Sequence, residues 1–251
     1  MNRLNAPAST PVVAEQFIQM HPDRILFSAA MTGLFLCQTQ RVANASTILG
    51  TGTAALLGRD LTDPENDGAP DANTGYNATF TSSEEPGFGG GEFAFNVFDN
   101  QVGGGNAKWC CGDLNNFPTN PISIDANIGI PVVLSHFTLT SGNDTPERDP
   151  RVWQIQGSSD GTNFTTIFAQ NNPAASVWSA RDQVIRFDGG TDFATPAPYS
   201  VFRFVTTATG LTTGARFQLG EIEYFAVPEP GAAFLTLTSL TALGVLRRRR
   251  R

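Results

Sequence analysis

The chain has 251 residues, of which 40% are hydrophobic and 16% charged, and it carries a formal net charge of −7. Residues 46–227 are more acidic than the whole: eight Lys and Arg face twenty Asp and Glu, a net −12. Such a surface repels nucleic acid and anionic lipid and attracts cations, so nucleic-acid binding is set aside as a function. Gly, Pro, Thr, Asn and Phe are frequent in this middle region, Lys occurs once and Leu is sparse, which favours strands and turns over helices.

Residues 25–37, ILFSAAMTGLFLC, form an uncharged apolar run of 13 residues preceded by Arg24 and followed by Ala43-Asn44-Ala45. This is the h-region and small-residue cleavage site of a secretory signal, which predicts a signal peptide over 1–45, removal by signal peptidase, and export. The stretch before Met20 is long for an n-region, so Met20 fits the start of the leader. Leu36 before Cys37 departs from the small residue that a lipoprotein signal places there.

A single domain is expected over 46–226. Its first part is hard to assign. Asp60, Asp63, Glu65, Asp67 and Asp71 crowd into DLTDPENDGAPD, but Thr74 stands where a calcium loop of the EF-hand type needs its closing glutamate, so this segment reads as a solvated acidic loop. Residues 84–91 are a turn-rich connection. Their glycines follow no strand and open no helix, so they do not cradle phosphate.

From residue 92, Phe93, Phe95 and Val97 alternate as one face of a strand, and Phe98-Asp99-Asn100 leads into a Gly-rich loop ending at Lys108-Trp109. The adjacent Cys110 and Cys111 form no disulfide framework and no zinc spacing; they read as a half-buried thiol pair, with an intermolecular bridge also open. Residues 122–125 and 132–140 are further strands. In the second, Val133, Ser135, Phe137 and Leu139 share a face, which puts His136 on the opposite, exposed side. A loop at 143–150 precedes the clearest hairpin: Trp153 and Ile155 alternate with Gln154 and Gln156, Asp160-Gly161 turns the chain, and 164–168 returns. Strands at 184–187, 199–206 and 217–225 complete the set. In the last, counting by twos from Phe217 and Leu219 puts Glu221 and Glu223 on the apolar face. Either a bulge at Gly220 resets the alternation, or Glu221 points inward and needs a cation or donors to offset its burial. Short strands at this spacing without an amphipathic helix predict an all-β, antiparallel β-sandwich.

The C-terminus reads Val227-Pro228-Glu229-Pro230, then sixteen uncharged residues, 231–246, then five arginines. As a helix the apolar run is about 24 Å long, enough to span a bilayer with snorkelling arginines. The arginine block stays cytoplasmic, which leaves the domain outside.

Pro-Glu-Pro, apolar helix and Arg cluster in that order resemble the PEP-CTERM sorting signal of Gram-negative bacteria, over residues 227–251. The resemblance implies an inner-membrane-anchored precursor, cleavage by an exosortase, and delivery to the cell surface or an extracellular polysaccharide matrix. Residues 92–225 resemble the discoidin, or coagulation-factor type C, branch of the galactose-binding-like jelly rolls. Phe98-Asp99-Asn100 to Lys108-Trp109, Arg148-Asp149-Pro150 with Trp153, Gly157 to Gly161, and Leu219 to Glu223 carry it. It implies a structural calcium held by Asp99 and Glu221 with carbonyls of the 99–109 loop, and Cys110-Cys111 depart from the pattern. It also implies a loop-end sugar site, for which Trp178, Tyr199, Phe88 and Arg148 are candidates; the simpler roles are edge-covering for Trp178 and a local Arg148–Asp149 ion pair. The functions in view are a non-catalytic carbohydrate-binding or adhesive module, a structural matrix protein without glycan specificity, and, last, a hydrolase. The hydrolase ranks last because no nucleophile elbow or metal motif accompanies the many carboxylates.

Overall fold

The computed structural model describes residues 47–65, 75–85, 90–113, 120–211 and 216–227. The leader, the sorting tail beyond Val227, Asp67, Asp71 and Phe88 lie outside these. The described residues form ten strands: β1 (Thr47–Thr51), β2 (Thr79–Ser82), β3 (Trp109–Asp113), β4 (Ile122–Thr140), β5 (Pro150–Ser158), β6 (Thr165–Asn171), β7 (Gln183–Asp188), β8 (Tyr199–Thr209), β9 (Arg216–Leu219) and β10 (Ile222–Val227). Among the described residues, helical structure is confined to three 3₁₀ turns, Thr53–Ala55, Ala94–Phe98 and Pro146–Arg148.

Apart from the antiparallel β3–β9 pair, the strands form two sheets that both contain β4. Its first half pairs with β2 and β8, and β8 continues through β5 to β6. Its second half pairs with β10 and β7, and β7 with β1. Every one of these pairings is antiparallel. The two expected strands at 122–125 and 132–140 are thus one strand of 19 residues. It changes sheet at a corner where Gly129 takes φ 78°. A glycine adopts that left-handed backbone without a Cβ penalty, and Pro131 beyond it donates no hydrogen bond to the ladder.

Between the sheets lies an aromatic core. Phe137 of β4 stacks on Phe187 of β7 at 4.9 Å and meets Trp153 of β5 and Phe168 of β6 edge-on. Trp153 in turn lies against Phe204 of β8. Trp153 and Ile155 point inward as the period-two pattern predicts. Three other expectations are corrected. The register skips Ser135 between Phe225 and Ala226, so this bulge turns Leu134 inward in place of Val133. His136 is half-buried, its ring stacked on Phe225 at 4.4 Å and bonded to Ser135, not an exposed strand histidine. Residues 94–98 are a 3₁₀ turn rather than a strand, burying Ala94, Asn96, Val97 and Phe98. Three residues per turn let adjacent side chains reach the core together, which a strand does not.

Phe137 is fully buried among four aromatic rings. Phe137→Ala should therefore cost about 3–5 kcal/mol in urea unfolding, whereas Phe164→Ala, on the outer face against Arg203, should cost well under half of that.

Candidate functional site

Glu221 lies between β9 and β10, where the last predicted strand is interrupted. The break and the inward carboxylate occur together. Gly220 N donates to the Thr140 carbonyl at 2.9 Å, and Thr140 N to the Glu221 carbonyl at 2.9 Å. A Cβ on residue 220 would lie 2.7 Å from the Ser141 carbonyl oxygen, so only glycine lets the two backbones close up here. Glu221 is thereby turned into the interior and is fully buried.

Around it the structure gathers oxygens from three parts of the chain. Asp99 follows the 3₁₀ turn and is fully buried, one carboxylate oxygen accepting from Gln101 N at 2.9 Å. Asn100 is held at φ 56°, which asparagine tolerates better than most residues. Its N donates to Glu221 Oε1 at 3.1 Å and its Nδ2 to the Asp63 carbonyl at 3.1 Å. From the N-terminal side come Asp60 and Asp63, both buried. Asp60 Oδ1 accepts from Thr62 N at 2.7 Å and Thr62 Oγ1 at 2.6 Å. The reading of this acidic stretch as a solvated loop is therefore corrected at its first two aspartates. Glu223, also buried, accepts from Leu57 N, Gly58 N and Thr138 Oγ1.

Burial without enough donors shifts these carboxylates. Desolvation, assisted by the neighbouring Asp63 charge, pushes Asp99 up to about 7. Desolvation raises Asp60 to about 6 against the opposing Thr62 hydrogen bonds. Glu221 is raised well above its ordinary value by desolvation and then by the Asp99 and Asp60 charges.

Calcium, the ion implied by the discoidin resemblance, can be tested against these atoms. Asp99 Oδ2, Glu221 Oε2, Asp60 Oδ2 and Asn100 Oδ1 are buried and have no hydrogen-bond partner. An oxygen-only set of this kind suits a hard cation. Among the described residues no three His, Cys, Asp or Glu side chains converge to hold a metal. An ion would therefore meet Asp99 and Glu221 and complete its shell from amide, carbonyl and water oxygens. The carbonyls of Asn106 and Lys108 accept from Asn96 Nδ2, and that of Val102 from Thr53 Oγ1.

The sugar-site candidates are not brought together. Trp178 is 5% exposed, with its indole N directed at the Leu139 carbonyl; it is a core side chain and offers no platform. Tyr199 is half-buried, its ring packed on Gly157, where a Cβ would lie 2.2 Å from Cδ2. It opens β8, whereas Arg148 precedes the end where Thr209 pairs with Pro150. These ends are ten residues apart along β8, about 33 Å. Arg148 pairs with Asp144 at 3.8 Å, while Asp149 takes a bidentate bridge from Arg181 and a bond from Gln218, so the expected Arg148–Asp149 pair is corrected.

Linked to Arg148 through Asp144 lies a group whose alternating phenylalanines suggested a strand face and not a binding surface. Phe93, 41% exposed, stacks on Phe95 at 5.6 Å. Its neighbour Glu92 bridges Lys108 at 3.4 Å, and Lys108 reaches Asn143 at 2.6 Å and Asp144 at 3.3 Å. An aromatic pair thus borders a connected series of charged and amide groups. Cys110, one residue beyond Trp109, is fully buried and disulfide-bonded, which corrects the expected thiol pair.

No family model and no characterised protein matches the chain. Among solved structures it is similar to the module CpGH89CBM32-5 from Clostridium perfringens, in complex with GalNAc-beta-1,3-galactose, at 19% identity and TM-score 0.46, over 60% of this chain and 96% of that one. It is also similar to chitosan-binding module 1 of a chitosanase/glucanase from Paenibacillus sp. IK-5, at 22% identity and TM-score 0.41 over 60% and 96%. A third is the family 32 CBM of C. perfringens NanJ in complex with galactose, at 16% and 0.43 over 59% and 93%. At these values the likeness assigns no ligand to this chain.

With Asp60 at about 6 and Asp99 at about 7, the unfolded chain ionises before the folded one. In chelator the melting temperature should fall as pH rises from about 4 through 7. Calcium should restore it at pH 8. Glu221→Gln should be more stable than the parent in chelator at pH 8 and gain nothing from calcium. A parent that calcium leaves unchanged would show that these oxygens hold no ion.

Proposed function

We propose that this protein is an exported, non-catalytic carbohydrate-binding or adhesive module, stabilised by a structural calcium. It is held at the inner membrane by its tail until an exosortase removes it, and is then passed to the cell surface or an extracellular polysaccharide matrix. The observation that carries the reading is the loop end described above. Its exposed Phe93, stacked on the half-buried Phe95, supplies an aromatic face for the C–H side of a sugar ring. The adjoining Lys108, Asn143, Asp144 and Arg148 supply donors and acceptors for hydroxyls.

Position supports the same reading. Val227, the last described residue before the tail, pairs with Val133 at one end of the second half of β4, while Thr140 leads into the 141–149 loop at the other. Eight residues of strand from 133 to 141 separate the tail's exit from the loop end by about 26 Å. A domain tethered at Val227 therefore turns these loops outward. The disulfide at Cys110 fits an oxidising compartment, as export requires. Trp178 and Tyr199 have no part in this site; Arg148 is retained.

The test is a glycan array probed with the purified protein and with Phe93→Ala and Arg148→Ala. Retention on a restricted set of glycans, weakened about tenfold by Phe93→Ala, is expected. Phe93→Ala should change unfolding free energy by no more than about 0.5 kcal/mol. Absence of retention across broad glycans would favour a structural matrix protein, and glycan turnover a hydrolase.

A further inference from the structure

Among the contacts that join the segment from Leu57 to Asp63 to the sandwich, which include Asn77 N donating to the Thr62 carbonyl at 2.9 Å, two differ in kind. One runs directly to β10: Glu223 accepts Leu57 N at 3.2 Å and Gly58 N at 2.5 Å, and Leu61 N donates to the Tyr224 carbonyl at 2.8 Å. The Leu61 bond covers part of the β10 strand, whose one ladder partner is β4. The other join runs through Asn100, which bonds the Glu221 carboxylate with its backbone and the Asp63 carbonyl with its side chain. Asn100 therefore links the buried carboxylate to the N-terminal segment.

Two observations indicate that this link depends on a bound ion. Buried oxygens of Asp60, Asp99 and Glu221 lack partners, and all three side chains are at most 2% exposed. Like charges held together in a dry site repel strongly. Where they are ionised without a cation, moving apart relieves that repulsion, and the members differ in freedom. Glu221 and Asp99 are tied between buried elements, whereas Asp60 and Asp63 lie in a segment outside any strand. Its reversal is built on two consecutive left-handed residues, Gly58 at φ 66° and Arg59 at φ 58°. The N-terminal segment is the part that yields.

We propose that Leu57–Asp63 is a cation-operated latch: a divalent ion at Asp99 and Glu221 fixes Asn100, which holds the segment closed over the β10 edge, and loss of the ion releases it. Ion binding and closure are then one coupled equilibrium, each favouring the other by the same factor. Extracellular calcium modules work at about 10⁻⁴–10⁻³ M. A latch in that range stays open in the cytoplasm and closes after export, sealing a strand edge that would otherwise pair with other chains. This inference rests on the calcium reading of the site given above.

The test is hydrogen exchange of the full chain in calcium and in chelator, read at the amides of Leu57, Gly58 and Leu61, with isothermal titration of calcium alongside. Exchange at these amides should be about tenfold faster in chelator, within the usual span of coupling between sites, while amides of β5 and β8 hold their protection. Asn100→Gly keeps the left-handed backbone and the N–H to Glu221 but removes the bond to Asp63. It should still bind calcium, yet its segment should exchange rapidly with or without the ion. Calcium binding with unchanged segment exchange overturns the latch alone. No calcium binding at all overturns the latch together with the reading it rests on. An Asn100→Gly segment that calcium protects as in the parent overturns the link through Asn100.

Discussion

Glu221 occupies a place where a carboxylate is expensive: it is fully enclosed, and its one hydrogen bond from Asn100 N leaves Oε2 without a partner. Several features of the molecule answer to that charge. The strand breaks at Gly220 so that the carboxylate can turn inward, and residue 220 has to be glycine because the Ser141 carbonyl occupies the space a Cβ would need. Asn100 accepts a left-handed backbone to aim its N–H. Asp99, Asp60 and Asp63 bring further negative charge to the same place, which stabilises nothing by itself and is understandable as a site that attracts a cation.

The sandwich supplies the rigidity that such an arrangement needs. Because β4 runs through both sheets, the pairing of its second half with β10 sets where Ile222 and Glu223 lie, and hence where Glu221 enters the interior. Phe98, Ile222 and Tyr224 of the apolar core are chain neighbours of Asp99, Glu221 and Glu223, so these carboxylates are held by elements that the packed core fixes.

The same end carries the loops proposed to meet a ligand. Asp149 is fixed by Arg181 and Gln218, so the 141–149 loop is anchored by a bidentate pair to a buried carboxylate while Asp144 stays exposed. Lys108 is bonded to both Glu92 and Asn143 and ties that loop to the stretch bearing Phe93. Groups that are far apart in the chain are held in one register before any ligand arrives, which lowers the ordering cost of binding.

Local periodicity was enough to read the strands of the central hairpin, the inward Trp153 and Ile155, and the anomaly at Glu221, since alternation is a property of neighbouring residues and needs no knowledge of what packs against them. The sandwich class follows from the spacing of such strands, whereas the pairing of Asp99 with Glu221 comes only from the discoidin resemblance. Parity could not show that Ser135 is a bulge, because a register shift is decided by the partner strand. It could not show that Trp178 is core rather than rim, or that Tyr199 and Arg148 stand at opposite ends, because burial and separation depend on how the sheets close. Nor could composition reveal that Asp60 and Asp63 leave a solvated run to join a buried cluster: a carboxylate's surroundings are set by long-range contacts, here from Asn100 and the β10 edge, which tertiary structure alone brings together.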